Sequence, residues 1–251
     1  MKKEKLAENI IHYSLPLNAD REFGINVTAI FDGNKVLLID TGYESDMELL
    51  LQDFAENSIE VEGVIISHFH DDHMEGLKLL PGVKSYGSGR FQETLDRWIP
   101  EKEHKHYTPS NTIDQDTTIK FGNHIITMIP FPDGHSPCSI LTIIDDEFIH
   151  MADDIMRSVD GRWMLPCLDE GKKQIPCQVK ALHNLKEYST SYIIPGHGSV
   201  FGQEKLTDAV YNLTTYLNAI TENDGDISFE EATKNCNCSF ACTEWHKDLC
   251  R

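Results

Sequence analysis

The sequence lacks any apolar run approaching the length of a membrane span, since stretches such as KVLLI and VEGVIIS are short and interrupted. No membrane partner is expected. Basic residues are also scarce: 22 lysines and arginines stand against 41 aspartates and glutamates, a formal net charge of −19. They are scattered along the chain, so no basic patch offsets a field that repels phosphate backbones, and no nucleic-acid partner is expected. The opening MKKEKLAENIIHYSLPL has no unbroken apolar region, because Glu4, Glu8 and Asn9 interrupt it. It reads as the start of an unprocessed, cytoplasmic chain rather than as a signal peptide. Cysteine is odd in number at seven, and four of the seven lie between Cys236 and Cys250. That pattern suits reduced thiols or a metal site better than a disulfide framework.

What remains is a chain of 251 residues, 40% hydrophobic, long enough to bury a substantial core. The first forty residues read as strands, with VTAIF and KVLLI flanking a hairpin signal at Asp32-Gly33-Asn34. In SDMELLLQDFAEN, Met47, Leu50, Leu51, Phe54 and Ala55 recur at helical spacing, and Ser45 with Glu48 fits a capping box. VEGVIIS reads as a buried strand, Met74 to Leu80 as a helix, KSYGS as a strand and RFQETLDRW as a helix. PEKEHKHYTPSNTIDQD reads as a loop. Four strands follow (TTIKF, HIITMIPF, SILTIID, EFIHMA), then a helix near Val179 to Tyr188, the strand SYIIPGHG, and an amphipathic helix over 204–220. Both halves run strands first and helices after, which favours two sheets packed face to face with helices outside, as one domain.

The chemistry concentrates in SHFHDDHMEG. Three histidines and two aspartates occupy the six positions His68 to His73, directly after a strand. Imidazole and carboxylate are the ligand set of zinc and similar metals. A sharp loop can aim His68 and His70 at one point, and the first turn of a following helix can present Asp72 and His73 to a neighbouring one. One loop cannot complete a metal's shell, so other segments should contribute. His135 in a turn, Asp153 at a strand end, and His197 between Gly196 and Gly198 are suitably placed. The two glycines let the backbone bend close to a ligand.

The series Asp40-Thr41-Gly42, His68-Phe69-His70-Asp71-Asp72-His73, His135, Asp153 and His197 resembles that of the metallo-β-lactamase-fold hydrolases, over about Val27 to Gly198. The resemblance implies an α+β chain folded as a four-layer αββα sandwich, its two mixed sheets packed face to face with helices outside. The two-metal site would lie on one edge, between the sheets. It further implies that His68, His70 and His135 hold one metal, that Asp72, His73 and His197 hold the other, and that Asp153 bridges them. Ala152-Asp153 aligns with the family's Gly-Asp pair, and Asp154 is the alternative bridge. Asp40 would orient the ligands from behind. This domain would span 1–222, with 223–251 as a Cys-rich C-terminal extension. Cys138 stands where the family has a glycine, and reads as a buried, inert thiol.

The expected activity is that of a binuclear hydrolase. Two divalent ions, zinc foremost with iron or manganese as alternatives, would hold a bridging hydroxide that attacks an ester, thioester, lactone or related bond of a small molecule. Asp72 would pass a proton to the leaving group. True β-lactamases of this fold lack the bridging aspartate, which argues against antibiotic hydrolysis. Quorum-signal lactonases place a tyrosine three residues after the bridge, where this chain has Met156. Glyoxalase II-like thioesterases share all the ligands, but residues 199–251 do not match their glutathione-binding region. The alternative is an iron-dependent oxidoreductase of the same fold, similar to the sulfur dioxygenases. In the tail, Cys238, Cys242, His246 and Cys250 recur every four residues and would form one stripe if helical, with Cys236 just before it. At about 6 Å per turn, a straight helix spreads them too far for one ion. Removing the tail after Asn235 is expected to leave hydrolysis largely intact.

Overall fold

The computed structural model describes residues 1–15 and 24–251, and the reading of 16–23 as strand lies outside the described residues. The first sheet has seven strands in chain order: β1 (Lys2–Ala7), β2 (Ile10–Leu15), β3 (Ile25–Asp32), β4 (Lys35–Ile39), β5 (Glu60–Ile65), β6 (Lys84–Ser88) and β7 (Asn111–Ile113). It is antiparallel up to β4 and parallel from β4 to β7. The turn between β3 and β4 pairs Asp32 with Lys35, leaving Gly33 at φ 60° and Asn34 as the two-residue connection anticipated there. The second sheet draws on β8 (Thr117–Phe121), β9 (His124–Pro130), β10 (Ile140–Ile144) and β11 (Phe148–His150). A short β12 (Trp163–Met164) lies outside it, and β13 (Tyr192–Ile194) and β14 (Phe201–Gly202) complete the order β14-β13-β11-β10-β9-β8.

The two-residue alternation of buried strands divides their side chains between layers. On β4, Leu37 and Ile39 face the second sheet, meeting Ile126, Met128, Ile140 and Phe148. Val36 and Leu38 point the other way, toward Met47, Leu50 and Phe54. Those three form the inner face of α1 (Glu44–Glu56). The outer layer on this side continues through α2 (Asp71–Met74), a 3-10 turn over Glu75–Leu79, α3 (Phe91–Trp98) and α4 (Glu101–Tyr107). On the far side, α5 (Ile175–Leu185) and α6 (Leu206–Glu222) cover the second sheet through Leu182, Leu185, Leu213 and Leu217. Each fully buried aliphatic side chain contributes about 1.5–3 kcal/mol. Three apolar interfaces therefore define four layers, helices–sheet–sheet–helices. This is the α+β sandwich with two mixed sheets.

Several local expectations shift. The capping aspartate of α1 is Asp46, whose carboxylate accepts from Tyr43 N–H at 3.2 Å, so the helix starts two residues earlier than the Ser45–Glu48 box placed it. The stretch read as a loop after Trp98 contains α4 and β7; Pro100 precedes the helix, and charge on most of its faces conceals it from a periodicity argument. The tail folds as α7 (Phe229–Thr233), β15 (Phe240–Ala241) and α8 (His246–Leu249). Its cysteines form no continuous helical stripe, because Cys242 turns the chain at φ 56°. Phe229, Ala232, Phe240 and Leu249 pack into the apolar cluster of α5 and α6. Among the described residues, no helix is long and apolar enough to cross a membrane.

One close contact ties the outer layer to the ligand loop. Gly76 follows α2, and its N–H donates to Gly42 O at 3.0 Å. A Cβ at this position would lie 2.7 Å from Met47 Cβ and 2.8 Å from Thr41 O. Gly76→Ala is therefore expected to cost about 1–3 kcal/mol, read as a lowered midpoint in thermal or urea unfolding. An unchanged midpoint would contradict this packing.

Candidate metal centre

Strands β4, β5, β9, β11 and β13 all release the chain at one edge of the sandwich; His68, His70, His135, Asp153 and His197 lie within five residues of such an end, and Asp72 and His73 follow on α2. The described His, Cys, Asp and Glu side chains close enough to share a cation fall into two groups: His68, His70, His135 and Asp153, then Asp72, His73 and His197. Within each group the ligand atoms lie within 4.8 Å of one another. One atom faces both. Asp153 Oδ2 is 3.7 Å from His68 Nε2 and 3.8 Å from His135 Nε2, and 3.3 Å from His73 Nε2 and 3.2 Å from His197 Nε2. Asp72 Oδ2 lies 3.4 Å from His197 Nε2.

Asp154, the alternative bridge, is turned elsewhere. Its Oδ1 accepts from His135 N–H at 2.8 Å, organising the loop backbone. Burial, aided by the neighbouring Asp153 charge, pushes its carboxyl up to about 7. The turn that leads into the two aspartates is tight: Ala152 has φ 47°, and Gly196 N–H donates to Ala152 O at 2.7 Å. A side chain at Gly196 would collide with Asp153 Oδ1.

Hydrogen bonds behind the ligands fix which imidazole nitrogen faces inward. Asp40, fully buried at φ 63°, accepts from Ser67 N–H at 2.7 Å and Ser67 Oγ–H at 2.8 Å. The serine's proton thus points to Asp40, so its oxygen accepts from His68 Nδ1 at 3.0 Å. Asp40 Oδ2 also accepts from His73 Nδ1 at 2.8 Å. His197 Nδ1 donates to Gly24 O at 2.8 Å, and His70 Nε2 donates to Asp169 Oδ1 at 3.1 Å. In all four cases the proton is held on the outer nitrogen, and the inner nitrogen presents a lone pair. His73 Nε2 is buried and makes no hydrogen bond. Such an orphaned inner nitrogen, in a set of imidazoles and carboxylates, fits a divalent cation.

The electrostatics agree. Burial pushes His68 well below the usual imidazole range, reinforced by His73 and His70, and brings His135 down to about 4. For His73 burial also works downward, but Asp153, Asp72 and Asp40 outweigh it and raise the group well above that range. His197 is raised against burial in the same way, by Asp153 and Asp72. Burial opposes ionisation of Asp153, yet His197 and His73 hold it well below the carboxylate range. The cluster wants positive charge at its centre, which protons on His73 and His197 supply when no cation is bound and a cation supplies by displacing them.

The seven ligand candidates read from the sequence are thus brought together. Ser67, Asp169 and the Gly24 carbonyl were not singled out there; Ser67 beside His68 was the only local signal. His104 bonds Ile99 O at 2.8 Å, and neither His104 nor His106 lines the cavity at the site. Cys138 is buried in the first sheet's helix-side core, its thiol pushed up to about 11 by burial, consistent with an inert role. A cavity of about 280 Å³ opens over the ligands, lined also by Tyr43, Met156, Cys167 and Trp245.

The sequence profile of the metallo-β-lactamase superfamily matches residues 20–197, and the chain belongs to that superfamily. Among solved structures it is similar to the IND-7 metallo-β-lactamase, at 19% identity and TM-score 0.69, over 84% of this chain and 97% of that one. The DIM-1 metallo-β-lactamase exposed to ceftazidime is similar at 22% identity and TM-score 0.68, over 85% and 95%. A metallo-β-lactamase from Pontibacter korlensis is similar at 16% identity and TM-score 0.66, over 84% and 99%. At these identities the likeness establishes the shared fold. No curated protein matches the chain.

Asp169 offers a test of the tautomer argument. Asp169→Ala should weaken metal binding at the His68–His70–His135 group by about 10–100-fold, measured by competition with a chromophoric chelator. Unchanged affinity would show that the outer hydrogen bond of His70 is unimportant.

Proposed function

We propose that the chain is a metal-dependent hydrolase that holds two divalent cations and cleaves an ester, thioester, lactone or related bond of a small molecule. His68, His70 and His135 hold one cation, Asp72, His73 and His197 the other, and Asp153 serves both. Zinc suits this ligand set best, with iron or manganese as alternatives. The observation that carries the reading is the position of Asp153 Oδ2, within 3.8 Å of an inner nitrogen from each group. A single-cation site would have no use for the second group.

When bound, such a pair activates water near neutral pH and polarises the substrate oxygen. The chain's own residues supply the rest. Asp40, Ser67, Asp169 and Gly24 hold the ligands in one tautomer, so little reorganisation is left for the reaction. Asp72, whose side chain is 14% exposed against 5% for Asp153, has an edge on the cavity and carries a proton to the leaving group. The structural relatives named as β-lactamases support the fold, but true β-lactamases lack the bridging aspartate. Asp153 therefore favours an acyl substrate other than a β-lactam.

Protein purified without added metal should carry about two metals per chain. It should cleave activated esters or thioesters under nitrogen, lose turnover on chelation and regain it on metal addition. His68→Ala should abolish turnover. One iron per chain, with oxygen consumed on a persulfide substrate and no hydrolysis, would instead establish the oxidoreductase reading.

A further inference from the structure

The C-terminal segment does not stand apart from the site, although the sequence treats it as a removable extension. Trp245 lines the cavity over the ligands, beside Met156. The two belong to one apolar cluster with Met164, Ala241 and Cys242. Met156 follows the bridging Asp153 by three residues, so this cluster begins where the ligand loop ends. His70, Asp72, His135 and His197 line the same cavity. Its lining thus combines ligand side chains with a thioether and an indole that belong to a separate apolar cluster.

Trp245 is held in place by its neighbours in the chain. β15 pairs in parallel with β12, Trp163 against Phe240 and Met164 against Ala241. Leu165 N–H donates to Ala241 O at 3.2 Å, and Arg162 Nη1 donates to Phe240 O at 3.0 Å. Cys242 then takes the left-handed conformation, φ 56°, which reverses the chain toward the cavity. Immediately after Trp245, His246 Nε2 donates to Ile227 O at 2.9 Å. Its Nδ1 is thereby free of a proton and accepts from the Tyr216 hydroxyl at 2.8 Å. Both hydrogen bonds are made inside the core, which explains why this histidine is part of the fold and not of a metal site.

We infer that Trp245 and Met156 form an apolar subsite that selects the hydrocarbon or aryl group of an acyl substrate, with the reacting carbonyl at the ligand side chains. This rests on the hydrolase reading for the reaction, but the subsite itself does not require turnover. An indole is a large, rigid apolar surface, and a thioether adapts to the shape laid against it. Each methylene that leaves water for such a surface strengthens binding roughly fourfold.

The test uses full-length, metal-loaded protein and two homologous series from two to eight carbons: n-alkanoates, followed by calorimetry, and p-nitrophenyl esters, followed by kcat/KM. In the unaltered protein, alkanoate affinity should rise roughly fourfold per methylene until the cavity is filled, and kcat/KM should rise in parallel. Trp245→Ala should cut the increment to below about twofold while leaving acetate affinity and metal content unchanged. Met156→Ala should cut it less, and Trp245→Phe should keep most of it. The phenylalanine and Met156 variants carry the test if Trp245→Ala does not fold. Chain-length dependence that is flat in the unaltered protein, or identical in all variants, would overturn the subsite, even with ester hydrolysis intact. Alkanoate binding with the expected increments but no ester or thioester cleavage would leave the subsite standing and remove the hydrolase reading.

Discussion

The Asp40 carboxylate, buried to zero exposure, is the constraint on which the site depends. A lone ion in such a place costs several kcal/mol in lost hydration. Here three donors repay it: Ser67 N–H, Ser67 Oγ–H and His73 Nδ1–H. The same three bonds lock the loop that carries the ligands. Through Ser67 they set the proton on His68, and directly they set the proton on His73. One buried charge therefore organises an inner nitrogen in each of the two ligand groups. The αL backbone of Asp40 is tolerable for a short polar side chain, and it lets β4 end while its carboxylate turns back under the loop.

The sandwich makes that arrangement possible. Alternating side chains on β4 and β5 glue one face to the second sheet and the other to α1, so the strand ends have little freedom. Because the two sheets contribute ligands separately, His68 to His73 from the first and His135, Asp153 and His197 from the second, the site exists only when both sheets are packed. Cation binding and sheet packing then reinforce each other, since a ligand that binds the folded state stabilises it. Met156 and Trp245, the latter held by the separate β12–β15 pair, line the cavity over the ligands.

The ligands were legible in the sequence because five ionisable groups in six residues have no economical structural explanation, and because the partners came at strand ends in a recognisable order. The layers were legible because both halves run strands first and helices after, with short apolar runs in β4 and β5 and helical periodicity in α1 and α6. The outer hydrogen bonds were not. Asp169 lies 99 residues after His70 and Gly24 lies 173 residues before His197, and a carbonyl oxygen carries no side-chain signature at all. α4 escaped notice because EKEHKHY presents no apolar stripe. In the tail, the four-residue spacing of cysteines suggested a helical face, whereas the pairing of Phe240 and Ala241 with β12 and the reversal at Cys242 decide the path of the chain. Tertiary pairing overrode local periodicity there, and it is that pairing which brings Trp245 to the cavity.

The central claim is that one carboxylate, Asp153, serves two cations held by two separate ligand groups. Anomalous diffraction at the zinc edge, from crystals of protein loaded with zinc, tests it most directly. The account predicts two peaks about 3.5–4 Å apart, one among His68, His70 and His135, the other among Asp72, His73 and His197, with Asp153 between them. A single peak, or a pair bridged by Asp154, would contradict it.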